Sequence, residues 1–309
     1  MTKFRIGRHI STSRGLLSAP VYGEKIGCQI IQIFLGSPTQ AVSRPRTDAE
    51  LVALGKELKS YKMKLVIHGL YTINLAHQPS SSRFRTSVRA LEADLKACHI
   101  IGARCIGVII HMGKNVSDEH ISEKKAMFNY AHSLKVVIQQ TNKAGIFTPI
   151  ILETGAGVGS EVGSRMNELK FIYDQLNTEE KSRIKFCIDT CHIWAAGYDI
   201  STKESVKKFF SNFNKLFGVD RISCIHLNNS QAPLGSKVDR HADLQYGLIN
   251  IAGIEAIVEI AYKHKIPIIM ETPLDSFNRK TKADITFQDE FELVNGWVKK
   301  FRRQSNKTK

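Results

Sequence analysis

Eight short apolar runs rich in β-branched residues constrain this chain more than any other feature. They fall at residues 4–10, 28–35, 64–71, 105–112, 148–154, 184–190, 221–228 and 266–272, and each reads as a strand. Between them, apolar residues recur three and four apart over 49–61, 87–101, 122–144, 161–176, 203–217, 253–264 and 286–301, the spacing of helices that bury one face. Strand alternating with helix predicts parallel βα units. Eight such units close naturally into a single α/β (β/α)8 TIM barrel with its active site at the C-terminal ends of the strands. An open doubly wound sheet is the competing architecture. At 309 residues the chain is long for one ordinary domain and comfortable for one barrel. No stretch rich in Pro, Gly or Ser divides it, so one domain is expected over 1–303 with a polar, basic tail at 304–309. The basic stretch from Lys299 onward is expected to fray after the last helix. It reads as weak phosphate affinity or a nuclear address, or as a solvated helix end favoured by the dipole.

The strand-like runs end in an unusual way. The third ends at His68, the fourth at His111, the fifth at Glu153, the sixth at Asp189, the seventh at His226 and the eighth at Glu271. His192 follows Asp189 by three residues, which in an extended strand would put the two on opposite faces. For both to serve one pocket, the strand must stop near Asp189 and a turn must swing His192 back. The loop after the seventh strand carries Asp239-Arg240-His241. Singly, a histidine at the end of an apolar run is a satisfied structural residue, and a lone glutamate a cap or an ion-pair partner. Together, in a barrel, these side chains converge on one face. Several carboxylates repel in a dry pocket unless cations or protons neutralise them. Nitrogen and oxygen donors suit zinc, with manganese or iron as substitutes. One zinc takes about four ligands, so the nine candidates His68, His111, Glu153, Asp189, His192, His226, Asp239, His241 and Glu271 imply two or three ions. Paired ions roughly 3.5–4 Å apart suit in-line displacement at phosphorus.

Charge points the same way. The chain has 44 Lys and Arg against 29 Asp and Glu, a net +15. Such a balance favours a polyanionic partner, although solubility alone would also account for it. Basic surface and clustered metals together indicate phosphodiester hydrolysis in a nucleic acid. No run of about 18 apolar residues indicates a membrane span, and the first five residues carry no apolar signal core. None of the six cysteines forms a Cys-x-x-Cys pair. Reduced thiols and an intracellular site, cytoplasm or nucleus, are expected.

The motifs His68-Gly69-Leu70-Tyr71-Thr72-Ile73-Asn74-Leu75, Glu153-Thr154-Gly155-Ala156-Gly157-Val158-Gly159, Cys187-Ile188-Asp189-Thr190-Cys191-His192, His226-Leu227-Asn228-Asn229-Ser230, Gly235-Ser236-Lys237-Val238-Asp239-Arg240-His241 and Ile269-Met270-Glu271-Thr272-Pro273 resemble those of the endonuclease IV family. These are the apurinic/apyrimidinic endonucleases of base-excision repair. The resemblance covers nearly the whole chain and implies three zinc ions, with manganese a possible substitute. His68 and His111 would hold the first, with Glu153 bridging to the second. Asp189, His226 and Glu271 would complete the second. His192, Asp239 and His241 would hold the third. Glu153, Glu271 and His111 take the catalytic positions. The implied reaction is hydrolysis 5′ to an abasic nucleotide in double-stranded DNA by metal-activated water, leaving a 3′-hydroxyl and a 5′-deoxyribose phosphate. Repair of blocked 3′ ends at oxidised lesions is also implied.

Tyr71, Gln40, Asn228 and Arg240 are the candidate DNA contacts, and the enzyme is expected to be monomeric. Thr39 stands where bacterial relatives tend to carry Arg, Asn229 where Asp is usual, and Met112 where Pro is usual. The glycine run 155–159 lacks the spacing of a dinucleotide loop and reads as a flexible approach to the site. His9 is a candidate for contact with a ligand. His77, His99, His120, His132 and His264 are expected to be incidental, and Cys187 and Cys191 to be packing residues. The rival reading is a metal-dependent sugar isomerase or epimerase of the xylose-isomerase type, which would not use His192, Asp239 and His241. A non-catalytic nucleic-acid-binding barrel would leave all nine donors without a role.

Overall fold

Eight parallel strands pair edge to edge until the last closes on the first. They are β1 (Ile6–His9), β2 (Ile30–Ile33), β3 (Lys64–His68), β4 (Cys105–Ile110), β5 (Ile150–Glu153), β6 (Ile184–Asp189), β7 (Ile222–His226) and β8 (Ile268–Met270). Closure is direct, with Ile6 opposite Ile268 and Gly7 opposite both Ile269 and Ile30. The barrel excludes the open doubly wound sheet, and all eight strands fall inside the eight apolar runs. The structure, a computed structural model, describes residues 4–37, 46–273, 276–278 and 283–307.

Side chains alternate in and out along a strand, and this period of two generates the site. Ile30, Val66, Ile109, Ile151, Cys187, Cys224 and Ile269 pack together as one inner layer, separate from the main core between strands and helices. Two residues further along each strand, the same inward direction gives Gln32, His68, His111, Glu153, Asp189, His226 and Glu271. At β1 the inner position is Gly7. A Cβ there would lie 1.6 Å from the Ile30 carbonyl oxygen, so only glycine lets β1 approach β2 this closely.

Around the barrel lie α1 (Ser18–Lys25), α2 (Asp48–Ser60), α3 (Ser82–Ile101), α4 (Glu123–Lys143), α5 (Met166–Asp174), α6 (Thr178–Arg183), α7 (Thr190–Ala195), α8 (Lys203–Leu216), α9 (Ile251–His264) and α10 (Phe287–Lys307). Side-chain caps fix several starts: Thr47 with Glu50 for α2, Ser81 for α3 and Ser122 for α4. Three helices carry no periodic signal. α1 contains Pro20 and Gly23, and α6 is one polar turn and a half. Every residue of α7 is buried, so no polar face marks it. α5 begins five residues later than its apolar spacing suggests, because Glu161 bridges to Lys114 and its carboxylate accepts the Gly157 amide at 2.6 Å. α10 continues to Lys307 rather than fraying from Lys299. Among the described residues, no helix is long and apolar enough to cross a membrane.

Candidate metal centre

The sixth strand shows how the chain aims its donors. Asp189 ends β6 and caps α7, its Oδ1 accepting the His192 amide at 2.9 Å. That cap turns the chain through the first helical turn and brings His192 back over the barrel mouth. Thr154, after β5, fixes both residues. Its hydroxyl accepts the Asp189 amide at 3.0 Å, and its carbonyl accepts His192 Nδ1–H at 2.8 Å. His192 Nε2 is left facing Asp239 Oδ2 at 3.1 Å, and His241 Nε2 lies 3.2 Å from Asp239 Oδ1.

Three overlapping groups of donors result. His68, His111 and Glu153 form one, with His68 Nε2 3.3 Å and His111 Nδ1 3.4 Å from Glu153 Oε2. Glu153, Asp189, His226 and Glu271 form a second, centred on His226 Nδ1. That nitrogen lies 2.7 Å from Glu153 Oε1, 3.2 Å from Glu271 Oε2 and 3.6 Å from Asp189 Oδ2. At the rim, Asp189, His192 and His241 form a third, His241 Nε2 lying 3.6 Å from Asp189 Oδ2, and Asp239 reaches both imidazoles through its two oxygens. Glu153 belongs to two groups through its two oxygens. All nine expected ligands are therefore brought together.

The donor atoms fit cations. His68 Nδ1 and His241 Nδ1 donate to the carbonyls of Gly69 and Glu271, at 2.8 and 3.2 Å. With His192 on Thr154, three rings thus present Nε2 to the pocket, the arrangement in which a backbone partner fixes the tautomer of a metal ligand. Buried Glu153 Oε2 and His241 Nε2 have no hydrogen-bond partner within the chain, as expected of atoms aimed at an ion, while His111 faces Glu153 through Nδ1 and leaves Nε2 without a partner. Nitrogen and carboxylate oxygen are zinc donors. The thiols nearby are poor ones. Cys187 lies with Cys224 and His226, and Cys191 with Asp239 and His241; burial pushes Cys191 up to about 12 and Cys187 well above the ordinary thiol range.

Without cations the pocket balances its charge with protons. Burial favours neutral Glu153, yet the imidazoles of His111 and His226 hold it well below the usual carboxylate range. Burial opposes charge on His192 and His226 as well, but Asp189 beside the first, and Glu271 with Glu153 beside the second, raise both well above an ordinary histidine. His241 rises to about 9 against burial, through Asp189 and Asp239. His111 is the exception: burial pushes it down to about 4. Cation binding must therefore displace protons.

The pocket opens into a cleft of about 680 Å³. Tyr71 stands on its wall, 55% exposed, with its ring centroid 5.3 Å from that of His111. Arg240 is exposed beside Asp239. Asn228, expected among the DNA contacts, is fully buried with both ends of its amide engaged. Nδ2 donates to Asp189 Oδ2 at 2.7 Å and Oδ1 accepts the Glu271 amide at 2.9 Å. It supports two ligands and offers no face to DNA. Gln40 and its neighbour Thr39 lie outside the described residues. His77 is not incidental: its Nδ1 lies 2.6 Å from Glu119 Oε1.

Two residues escaped the sequence reading. Thr154 anchors Asp189 and His192, and nothing but its place after Glu153 marks it. Gln32 sits at the inner position of β2, and its signal is a polar residue inside Ile30-Ile31-Gln32-Ile33.

A closed βα barrel whose strand ends gather nine nitrogen and oxygen donors defines a metal-dependent TIM-barrel enzyme. The family described as xylose isomerase-like TIM barrel matches residues 22–291. A putative endonuclease 4 of Acanthamoeba polyphaga mimivirus is 51% identical over 295 residues, spanning 96% of this chain and 94% of that protein. Apurinic-apyrimidinic endonuclease 1 of Saccharomyces cerevisiae is 35% identical, over 89% of this chain and 73% of that protein. The crystal structure of endonuclease IV from Thermus thermophilus superposes with a TM-score of 0.75 at 26% identity, over 96% of this chain and 99% of that one. The chain belongs to the endonuclease 4 family of xylose isomerase-like TIM barrels, an enzyme of the hydrolytic nuclease class. A D-tagatose 3-epimerase-like protein has a TM-score of 0.71 at 13% identity, a likeness of fold alone.

Proposed function

We propose that the chain is an apurinic/apyrimidinic endonuclease that hydrolyses the phosphodiester 5′ to an abasic site in double-stranded DNA, leaving a 3′-hydroxyl and a 5′-deoxyribose phosphate. The observation that carries this reading is the triple grouping of donors, in which Glu153 is shared by two groups and a rim trio lies beside them. Three zinc ions fit these groups, manganese being a possible substitute, and when bound they supply an activated water and stabilise charge on the phosphate and leaving oxygen.

The chain's own residues define the rest. His68, His111 and Glu153 would hold the first ion; Glu153, Asp189, His226 and Glu271 the second; His192, Asp239 and His241 the third. Glu153, Glu271 and His111 take the catalytic positions: His111 and Glu271 line the cleft, and Glu153 is buried against His111 and His226. Tyr71 and Arg240, exposed on the pocket's wall and rim, contact the DNA. An abasic nucleotide costs little to turn out of the helix, because it has no base to unpair. The same pocket accepts blocked 3′ ends at oxidised lesions. The enzyme acts as an intracellular monomer, and its six cysteines are all free thiols.

A sugar isomerase or epimerase of this fold leaves the rim trio and the net charge of +15 without a role. The test is a duplex bearing one tetrahydrofuran abasic analogue, incubated without added magnesium. A single nick on the 5′ side, with an end that a polymerase extends, is expected. An intact duplex sinks the reading, and epimerisation of a ketose supplied in a parallel reaction would establish the rival.

A further inference from the structure

Gln32 is completely buried, in a strand whose other residues are isoleucines. Burying an amide costs free energy unless it is hydrogen-bonded, and every polar atom of this one is engaged. Gln32 Oε1 accepts His226 Nε2–H at 2.7 Å. Gln32 Nε2 donates to Glu271 Oε1 at 2.5 Å and lies 3.2 Å from His9 Nδ1. His9 is neutral, since burial pushes it down to about 4 against the pull of Glu271, and its Nδ1 accepts.

An amide has one acceptor end and one donor end, so this arrangement has a sense. Turned round, Gln32 would set its carbonyl oxygen against the Glu271 carboxylate. Because Oε1 only accepts, His226 must carry a proton on Nε2, leaving Nδ1 for the pocket, where Glu153, Asp189 and Glu271 converge. Because Nε2 of Gln32 holds Glu271 Oε1, the other oxygen, Oε2, faces that same point. One side chain thus chooses the coordinating atom of two ligands that lie 45 residues apart in sequence. Asn228 supports a third ligand differently, donating to Asp189 Oδ2, the oxygen that itself faces the pocket.

We propose that Gln32 is the positioning residue of the second ion's group, fixing which nitrogen of His226 and which oxygen of Glu271 meet the cation. This rests on the metal-dependent reading above. Hydrogen-bond partners of metal ligands typically carry a 10–100-fold effect on affinity, and this one serves two ligands at once.

The test compares the wild type with Gln32→Leu and with Gln32→Met, which keeps the length and removes all three polar contacts. Zinc is titrated into metal-free protein, with bound ions counted by native mass spectrometry. The wild type should take three. Each variant should keep two ions at wild-type affinity and bind the remaining one about 10–100-fold more weakly. The imidazole ¹⁵N spectrum of zinc-loaded protein should show a single Nε2–H tautomer for His226 in the wild type, lost in the variants. Gln32→Met guards against misfolding of the leucine variant, and the melting temperature of the metal-free forms reports the fold. Three ions at unchanged affinity in a folded variant, with the His226 signal intact, would overturn the proposal. A wild type that takes fewer than three ions would instead overturn the three-ion reading beneath it.

Discussion

Glu153 is the residue on which the centre turns. Its two oxygens serve two donor groups, one facing His68 and His111 and the other facing His226, and it is buried to 1% exposure. Replacing it by alanine removes a ligand from both groups and leaves the rim trio intact. Glu153→Ala is expected to retain about one zinc per chain and to cut an abasic duplex more than about a hundredfold more slowly, beyond the effect of losing a mere supporting contact. Metal analysis beside a gel assay reads both, and wild-type cleavage with a full metal complement would refute the assignment. His68, His111, Glu153, Asp189, His192, His226 and Glu271 were legible in the sequence because each stands at the end of a strand or one short turn beyond it, whereas Asp239 and His241 lie in the long loop after His226 and were marked by the motif alone. The supports were not. Gln32, Thr154 and Asn228 act through hydrogen bonds to residues far away in the chain, and no local pattern records such partners. Asn228 shows the consequence: its place after His226 suggests an exposed loop, yet its amide is consumed by Asp189 and Glu271.

At the scale of elements, the strand period of two was the dependable signal, since one inner layer of apolar residues sets the direction of the ligands two positions later. The helices were less legible. α7 is short and buried on all sides, so its presence is dictated by the Asp189 cap rather than by periodicity. At β1 the close approach to β2 depends on Gly7. Gly7→Ala must push the strands apart, and a loss of about 3 kcal/mol or more is expected from such overpacking, read as a lowered denaturant midpoint. An unchanged midpoint would show that β1 can shift freely. α10 is tied to the active-site end of the barrel by Glu290, which accepts the Leu244 amide at 2.7 Å and the Thr272 hydroxyl. Burial pushes Glu290 up to about 7, with Thr272 and Leu244 opposing. A carboxyl raised on folding contributes stability that is fully present below its unfolded value of about 4.5 and is lost as pH rises through 7. Relative to Glu290→Gln, the wild type should therefore lose up to about 3 kcal/mol between pH 4.5 and 8. Parallel stability curves for the two proteins over that range would contradict the assignment.

The whole molecule combines a neutralisable acidic pocket with a strongly basic surface. Net charge was read from composition, and its consequence belongs to the complete particle rather than to any one residue. If about six phosphates are contacted, affinity for undamaged duplex should fall about 10³-fold between 50 and 200 mM salt. Fluorescence anisotropy would show this, and a change below tenfold would mean that the charge serves solubility instead. Membership of the family and the barrel were both visible in the linear motifs, because a (β/α)8 chain returns to the same face at regular intervals. The grouping of nine donors into three was implied by resemblance, and it becomes a geometric statement only when the strands close. The most direct test is the number of zinc ions on the intact chain, counted by native mass spectrometry at neutral pH after zinc loading and removal of excess metal. Three ions per chain are predicted. One ion, or none, would contradict the account.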